Sequence, residues 1–402
     1  MKLNVNMLDA MRTATQLLKQ ARKGDATSTI QRVLQQVLPG AVRESAPITP
    51  PMKDINPRPE GARNNHRADP QTTSTPAAQT SHTVPDFVAD LLERFGTGAV
   101  GSGTAPTSER SANSSTAHSG SVFLSGTFSN AAGSRHYKLF VPASYSGQRV
   151  PLVVMLHGCT QSPDDFAAGT EMNQYAEQSP CLVLYPEQSS SANSSKCWNW
   201  FKAMDQQRGQ GEPSIIADMT REIIGSYAID PSQVYVAGLS AGGAMAAIMG
   251  STYPDLYAAV GIHSGLPYAA ANDLPSAMQA MRDGMNEAKS ARAQPGIRPI
   301  IVFHGDRDTT VHPRNGEQLI AQHAPKDVST SVVTGSEPGG LHYTRTIHQD
   351  DDGQPVAEQW LVHGAGHAWS GGSRNGSYTE QRGPQATKEM MRFFTTQRGA
   401  SA

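Results

Sequence analysis

Six apolar, β-branched runs separated by helical stretches constrain this chain more than any other feature. They read PLVVMLHG, CLVLYPEQ, QVYVAGLS, AAVGIHSG, RPIIVFHGD and EQWLVHGAGH. Strands that stay apolar along their length, without polar alternation, belong in sheets covered on both faces, and strands that alternate with helices build mostly parallel sheets. The texture begins near residue 120. There SVFLSGTF and RHYKLFVP, joined by the turn-rich SNAAGS, read as an antiparallel opening hairpin. The spacing therefore predicts an α/β domain over 119–398, with helices on both faces of its sheet. Function in such sheets gathers at the carboxyl ends of the strands.

The first 118 residues read differently. Met7, Met11, Ala14, Leu18 and Ala21 recur at helical spacing. After Gly24, Ala26, Ile30, Val33, Leu34, Val37 and Leu38 repeat the pattern until Pro39-Gly40. Asp25 suits the N-cap of the second helix. Residues 1–40 are thus expected to form a helical hairpin whose apolar stripe packs on itself or on the main domain, or else binds a hydrophobic surface. Residues 41–118 are rich in Pro, Ser, Thr, Ala, Asn and Gln, which bury too little apolar surface to offset the entropy of ordering, and they read as a disordered linker. One amphipathic island, Phe87 to Phe95, interrupts it.

A formal net charge of -2 and 17% charged residues provide no basic face for nucleic acid and no polybasic segment for an anionic membrane. The N-terminus breaks its apolar residues with polar ones and shows no export signal, and no run approaches a membrane span. Cys159, Cys181 and Cys197 lack zinc-type spacing and allow at most one disulfide.

Chemistry is concentrated where three of the apolar runs end. After QVYVA comes Gly238-Leu239-Ser240-Ala241-Gly242, followed by the helical AMAAIMGSTYP. A Gly-x-Ser-x-Gly turn between strand and helix needs its glycines because the backbone bends sharply and the helix packs close, leaving the serine hydroxyl projecting. Serine becomes a nucleophile when a histidine accepts its proton and a carboxylate orients that histidine. Asp306 and Asp308 follow one downstream strand and His367 follows the next, which satisfies the serine, acid, histidine order of the α/β-hydrolase fold. Spacing alone leaves Asp306 and Asp308 both open as the acid. His304, His312 and His363 are rival bases, although His304 and His363 fall in or at the edge of strand patterns. His363 and His367 are four apart, a metal spacing on a helix, but Gly364-Ala365-Gly366 argues against a helix, and neither metal nor cofactor is expected. The oxyanion of an acyl-transfer intermediate needs backbone donors. The amide of Ala241 is one, and Cys159 in the loop after VVML is the expected second, with Thr160 the near alternative.

Taken together, LHGCTQSPDDF, LYPEQ, CWNWF, RGQGEPSII, YVAGLSAGGAMA, HSGLPY, FHGDRDTTV, GAGHAWSGG and GPQATKEMMRFF resemble the polyhydroxybutyrate-depolymerase-type esterases, a family that includes feruloyl and acetylxylan esterases. The resemblance spans about residues 120–395. It implies Ser240 as nucleophile, His367 as base and Asp308 as acid, by its place in HGxxDxxV. It also implies a Cys159 to Cys197 bridge that ties the oxyanion loop to CWNWF. Cys181, in an apolar strand, is expected as a buried thiol. Trp198 and Trp200 either stack on substrate or pack in the core, and Trp369 is expected in the substrate wall because His367 lies two residues away. Met278, Met281 and Met285 lie at helical spacing in a segment over about 270–295 that is either a lid or an ordinary crossover.

The expected function is a serine ester hydrolase acting through an acyl-enzyme on short-chain hydroxyalkanoate polyester or oligomers. A feruloyl or acetylxylan esterase, an α/β-hydrolase peptidase and a non-enzymatic granule- or surface-binding protein are the alternatives. Family resemblance points to an extracellular protein, whereas the missing signal peptide and polymer-binding module point to the cytoplasm and to oligomers or amorphous material.

Overall fold

A computed structural model describes residues 120–285, 298–325 and 328–399. The expected hairpin at 1–40, the linker at 41–118 and its island at 87–95 lie outside the described residues. Contacts group the chain into Met1–Gln79 and Thr80–Ala402, and every described residue belongs to the second unit.

The opening hairpin pairs β1 (Val122–Asn130) with β2 (Gly133–Val141), closing at Asn130 opposite Gly133. Next come β3 (Val150–Leu156), α1 (Pro163–Thr170), α2 (Met172–Gln178), β4 (Leu182–Pro186) and α3 (Gly211–Ser226). The middle of the domain holds β5 (Ile229–Leu239), α4 (Ala241–Thr252), β6 (Ala259–His263) and α5 (Leu274–Asp283). It closes with β7 (Ile300–Gly305), α6 (Arg314–His323), β8 (Ser329–Ser336), β9 (His342–Gln349), β10 (Pro355–Val362), the short β11 (Trp369–Ser370) and β12 (Thr379–Glu380), and α7 (Ala386–Thr395).

The main sheet has ten strands in the order β1-β2-β4-β3-β5-β6-β7-β10-β9-β8. Its centre, β4 through β10, is parallel throughout, and an antiparallel hairpin extends each edge. The expected mostly parallel sheet is therefore observed, as is the opening hairpin. Side chains alternate between two cores. Val154, Val236, Ile262 and Val302 face one side together with α3 and α4, while Val153, Tyr235, Ala259 and Phe303 face the other together with α1, α2 and α7. Period-two alternation across a sheet that is buried on both faces explains why these strands read as continuous apolar runs.

The β8–β9 hairpin was not anticipated from the sequence. Its strands carry no buried residue, so SVVT and YTRTI show β-branched enrichment without an apolar stripe.

Candidate active site

Ser240 sits between the end of β5 and the start of α4 with φ 57° and ψ -120°, a conformation that a non-glycine residue adopts only when its surroundings impose it. Those surroundings are visible. A Cβ on Gly242 would lie 1.9 Å from the Leu156 carbonyl oxygen, and one on Gly238 would lie 2.3 Å from the Gly242 oxygen. Only glycine lets α4 approach β3 and β5 this closely. The Ser240 amide is fixed by the His263 carbonyl at 2.9 Å, at the end of the neighbouring β6.

Asp308 follows β7 and His367 follows β10. Asp308 Oδ2 lies 2.7 Å from His367 Nδ1, and Oδ1 accepts the amides of Thr310 and Val311 at 2.9 and 2.8 Å. Burial works against the ionised carboxylate, but His367 and His304 outweigh it and hold the Asp308 carboxyl well below the usual range. A carboxylate at Nδ1 places the imidazole proton there and leaves Nε2 as the acceptor. Ser240 and His367 line one slot together with Gly158, Cys159, Leu239 and Tyr378. Among the described residues no hydrogen bond yet joins the Ser240 hydroxyl to His367. Such contacts commonly tighten only with substrate.

None of the rivals lines the slot with Ser240. Asp306 Oδ2 lies 3.0 Å from His363 Nδ1 on the surface, and its Oδ1 accepts the Gly364 amide at 2.7 Å. His304 is buried in β7 with Nε2 at 2.8 Å from the Val311 oxygen and 3.4 Å from Asp308 Oδ2. His312 Nδ1 accepts the Arg314 amide.

Opposite Ser240, Cys159 and Cys197 form a disulfide. The Thr160 amide donates to the Ser195 carbonyl at 2.7 Å, whereas the Cys159 amide has no acceptor among the described residues. Ala241 occupies the first position of α4, where an amide has no intrahelical partner. The Cys159 and Ala241 amides are therefore the free donors beside the serine. A hydroxyl, an oriented imidazole and two such amides can carry acyl transfer.

Residues 135–335, half of the chain, match the family described as Esterase PHB depolymerase. The chain belongs to this family. Poly(3-hydroxyalkanoate) depolymerase C of Paucimonas lemoignei is 35% identical over 234 residues, which cover 54% of each chain. Poly(3-hydroxybutyrate) depolymerase of Ralstonia pickettii is 29% identical over 268 residues, 61% of this chain and 53% of the relative. Acetylxylan esterase A of Emericella nidulans is 31% identical over 204 residues, 47% of this chain and 66% of the relative. The matched segment thus spans about half the length of the two depolymerases. An acetyl xylan esterase from Aspergillus awamori shares the fold, with a TM-score of 0.51 at 22% identity over 65% of this chain and 94% of that one.

Within this member of the esterase PHB depolymerase family, the three tryptophans separate. Trp200 lines a pocket beside Ser240, together with Phe201, Leu266, Met278, Met281 and Val311. Trp198 and Trp369 line no pocket at the serine: Trp198 takes the core position of its two open readings, and Trp369 departs from the expected substrate wall. Trp198 is buried with its indole N–H on the His157 oxygen at 3.1 Å. Trp369 is buried against Phe166 and His263, with its N–H on Thr387. His367 lies in the loop before β11, and the chain turns between it and Trp369, so closeness in sequence does not carry the indole to the serine. Met278 and Met281, on the helical crossover α5, form pocket wall, whereas Met285 is buried beyond the helix and lies on neither pocket. Cys181 is a buried free thiol whose pKa burial pushes up to about 12.

Three contributors escaped the sequence reading. Glu212 is buried and accepts from Arg135, Gln188 and both the amide and side chain of Asn199, which fixes the CWNWF segment, since Gln188 also donates to the Cys197 oxygen. His263 binds Ser240 through its carbonyl and the Ser370 amide through Nε2 at 2.9 Å. Tyr378 faces the slot and places its hydroxyl 3.3 Å from Thr160 Oγ1. Glu in RGQGEPSII and His in HSGLPY were the available signals. Nothing near Tyr378 marked it.

Proposed function

We propose that this protein is a serine carboxylic ester hydrolase that cleaves short-chain hydroxyalkanoate polyester or oligomers through an acyl-enzyme. The observation that carries this reading is the strained Ser240 turn opening into the same slot as a His367 imidazole held by Asp308 at 2.7 Å. Ser240 Oγ attacks the ester carbonyl while His367 Nε2 accepts its proton, and Asp308 stabilises the resulting imidazolium. The amides of Ala241 and Cys159 receive the oxyanion, helped by the positive end of α4. His367 then returns the proton to the departing alcohol, and water, activated by the same imidazole, releases the acid and regenerates Ser240.

The depolymerase relatives support a hydroxyalkanoate polyester as substrate. The acetylxylan esterase relative of similar identity supports a second reading, deacetylation of a polysaccharide. A disulfide beside the oxyanion loop suits an oxidising compartment and so favours an exported protein. The test is a panel of hydroxybutyrate oligomers, methyl ferulate, acetylated xylan and a peptide, run on wild type and Ser240→Ala. Hydroxybutyrate oligomers are expected to be cleaved fastest, with all turnover lost in the variant. Exclusive release of acetate from xylan would install the second reading, and peptide cleavage without ester cleavage would defeat both.

A further inference from the structure

Two mainly apolar cavities meet at Ser240 and share only Ser240 and Cys159, and they differ in what lies beyond them. The larger is the pocket roofed by Met278 and Met281 of α5 and walled by Trp200, Leu266 and Val311; its lining carries no charged side chain. The smaller is the slot that contains His367 and ends at Tyr378. Tyr378 also borders a polar groove with Arg374, Gln381, Glu380 and Arg382. Arg382 is paired with Glu380 at 2.9 Å, and Arg374 keeps its two terminal guanidinium nitrogens clear of its Nε contact to Gln381.

Proton balance decides which half of an ester goes where. The alcohol oxygen must take its proton from His367 as the carbon–oxygen bond breaks, so the alcohol lies in the cavity that contains the imidazole. The acyl carbon stays bonded to Ser240 with its oxygen on the Cys159 and Ala241 amides, so the acyl chain extends into the other cavity, whose lining includes both of those residues. Resting on the esterase reading above, we propose that the Met281 pocket takes a short, largely apolar acyl chain and that the alcohol passes through the slot beside His367 so that its hydrogen-bonding oxygens reach the polar groove beyond Tyr378. Met281 and Tyr378 are the specificity-determining residues. A hydroxy-acid unit ending in a carboxylate and a sugar hydroxyl share that alcohol chemistry.

Tyr378 is built for a fixed position. It holds φ 53°, costly for an aromatic residue, while its carbonyl accepts the Trp369 amide at 2.7 Å and its hydroxyl meets Thr160. Its ring therefore bridges the His367 loop and the oxyanion loop, and it remains more than a third exposed.

The experiment uses the full chain and two substrate series. Nitrophenyl acetate, butyrate and hexanoate vary the acyl chain alone; methyl acetate, an acetylated xyloside and acetylated 3-hydroxybutyrate vary the alcohol alone. Rates are normalised to the fraction of protein that reacts with a fluorophosphonate, which removes losses due to misfolding. Met281→Trp is expected to lower kcat/KM for the hexanoate about tenfold or more relative to the acetate, with the alcohol ranking unmoved, and Met281→Ala to shift the ranking the other way. Tyr378→Ala is expected to erase the preference for the xyloside or the hydroxybutyrate over methyl acetate, with the acyl ranking unmoved. Whichever of those two esters wild type prefers identifies the alcohol. Exchange of the two effects, or no change in either ranking, overturns the assignment. Wild type that labels with fluorophosphonate but hydrolyses no ester in either series removes the esterase reading itself, and the assignment with it.

Discussion

Asp308 Oδ2 lies 2.7 Å from His367 Nδ1, while Asp306, two residues earlier, holds His363 at 3.0 Å on the surface. Two aspartate–histidine pairs thus occupy adjacent turns, and only one has its histidine in the slot with Ser240. Asp308→Asn is expected to lower kcat on nitrophenyl acetate by about 10⁴-fold, because an amide at that place favours the wrong imidazole tautomer. Asp306→Asn is expected to stay within about threefold of wild type, since it removes an exposed pair of little energetic weight. Steady-state kinetics of the two variants side by side check this. Equal losses would mean that the acid has been misassigned.

His263 connects the nucleophile to the histidine loop without touching either reacting atom. Its carbonyl accepts the Ser240 amide, its Nε2 accepts the Ser370 amide, and its ring stacks between Phe303 and Trp369. Burial lowers its pKa well below the ordinary value and keeps it neutral, as an Nε2 acceptor must be. His263→Phe preserves the stacking but leaves the buried Ser370 amide unpaired, at a cost of about 1–3 kcal/mol. The expected signature is a kcat reduced tenfold or more at nearly constant KM, with partial recovery in His263→Gln, whose carbonyl oxygen can accept. Equal behaviour of the Phe and Gln variants would show that packing alone matters.

Gly242 has no room for a methyl group. A Cβ there would sit 1.9 Å from the Leu156 oxygen and 2.6 Å from the His157 oxygen, and backbone atoms cannot rotate aside. Gly242→Ala is expected to cost about 4 kcal/mol or more, at the severe end for single substitutions. Gly225→Ala, on α3 with nothing within 4 Å, is the matched control and is expected to be neutral or stabilising. Thermal melts of the two variants give the comparison.

The disulfide joins Cys159 to Cys197, 38 positions apart, and anchors the loop whose Cys159 amide we propose as an oxyanion donor. Chain entropy assigns such a bridge about 2–4 kcal/mol. Cys197→Ser is therefore expected to lower both thermal stability and kcat, the latter by about tenfold as one oxyanion donor loosens. Titration with dithiothreitol should reproduce both losses in wild type and none in the variant. Unchanged kcat in the reduced enzyme would separate the bridge from catalysis.

Most of the site was legible because its parts stand at strand ends. Apolar runs located β5, β7 and β10, and the residues following them, Ser240, Asp308 and His367, are those the fold brings together. What could not be read was anything decided by the direction of a side chain in a loop. Trp369 reads as substrate wall from its neighbour and Trp198 is open between wall and core, yet each turns its ring into a core, and Tyr378 became visible only when the loop after β11 folded back on Thr160. The β8–β9 hairpin was missed for a related reason: β8 is exposed and β9 only half-buried, and strands without fully buried residues leave no hydrophobic period.

Three buried histidines make the fold sensitive to acid. Burial pushes His157 and His323 down to about 4 and places His263 well below its ordinary value. In each case the folded pKa is lower than the unfolded value near 6.5, so below that pH the unfolded chain binds more protons. Their contribution, about 3 kcal/mol each for His157 and His323, is fully present above pH 6.5 and is lost as pH falls toward 4. Asp308, held below the carboxylate range, adds a further loss only below about pH 4. Urea unfolding is expected to give a stability that is flat from pH 7 to 8 and falls steeply from 6.5 to 4. His323 offers the cleanest test, because its ring makes one contact, Nδ1 to the Arg298 carbonyl at 3.1 Å, and its Nε2 has no partner. His323→Asn retains a donor and removes the titration, so the slope between pH 6 and 5 should drop by up to about 1.4 kcal/mol per pH unit. An unchanged slope would place the acid sensitivity in other groups.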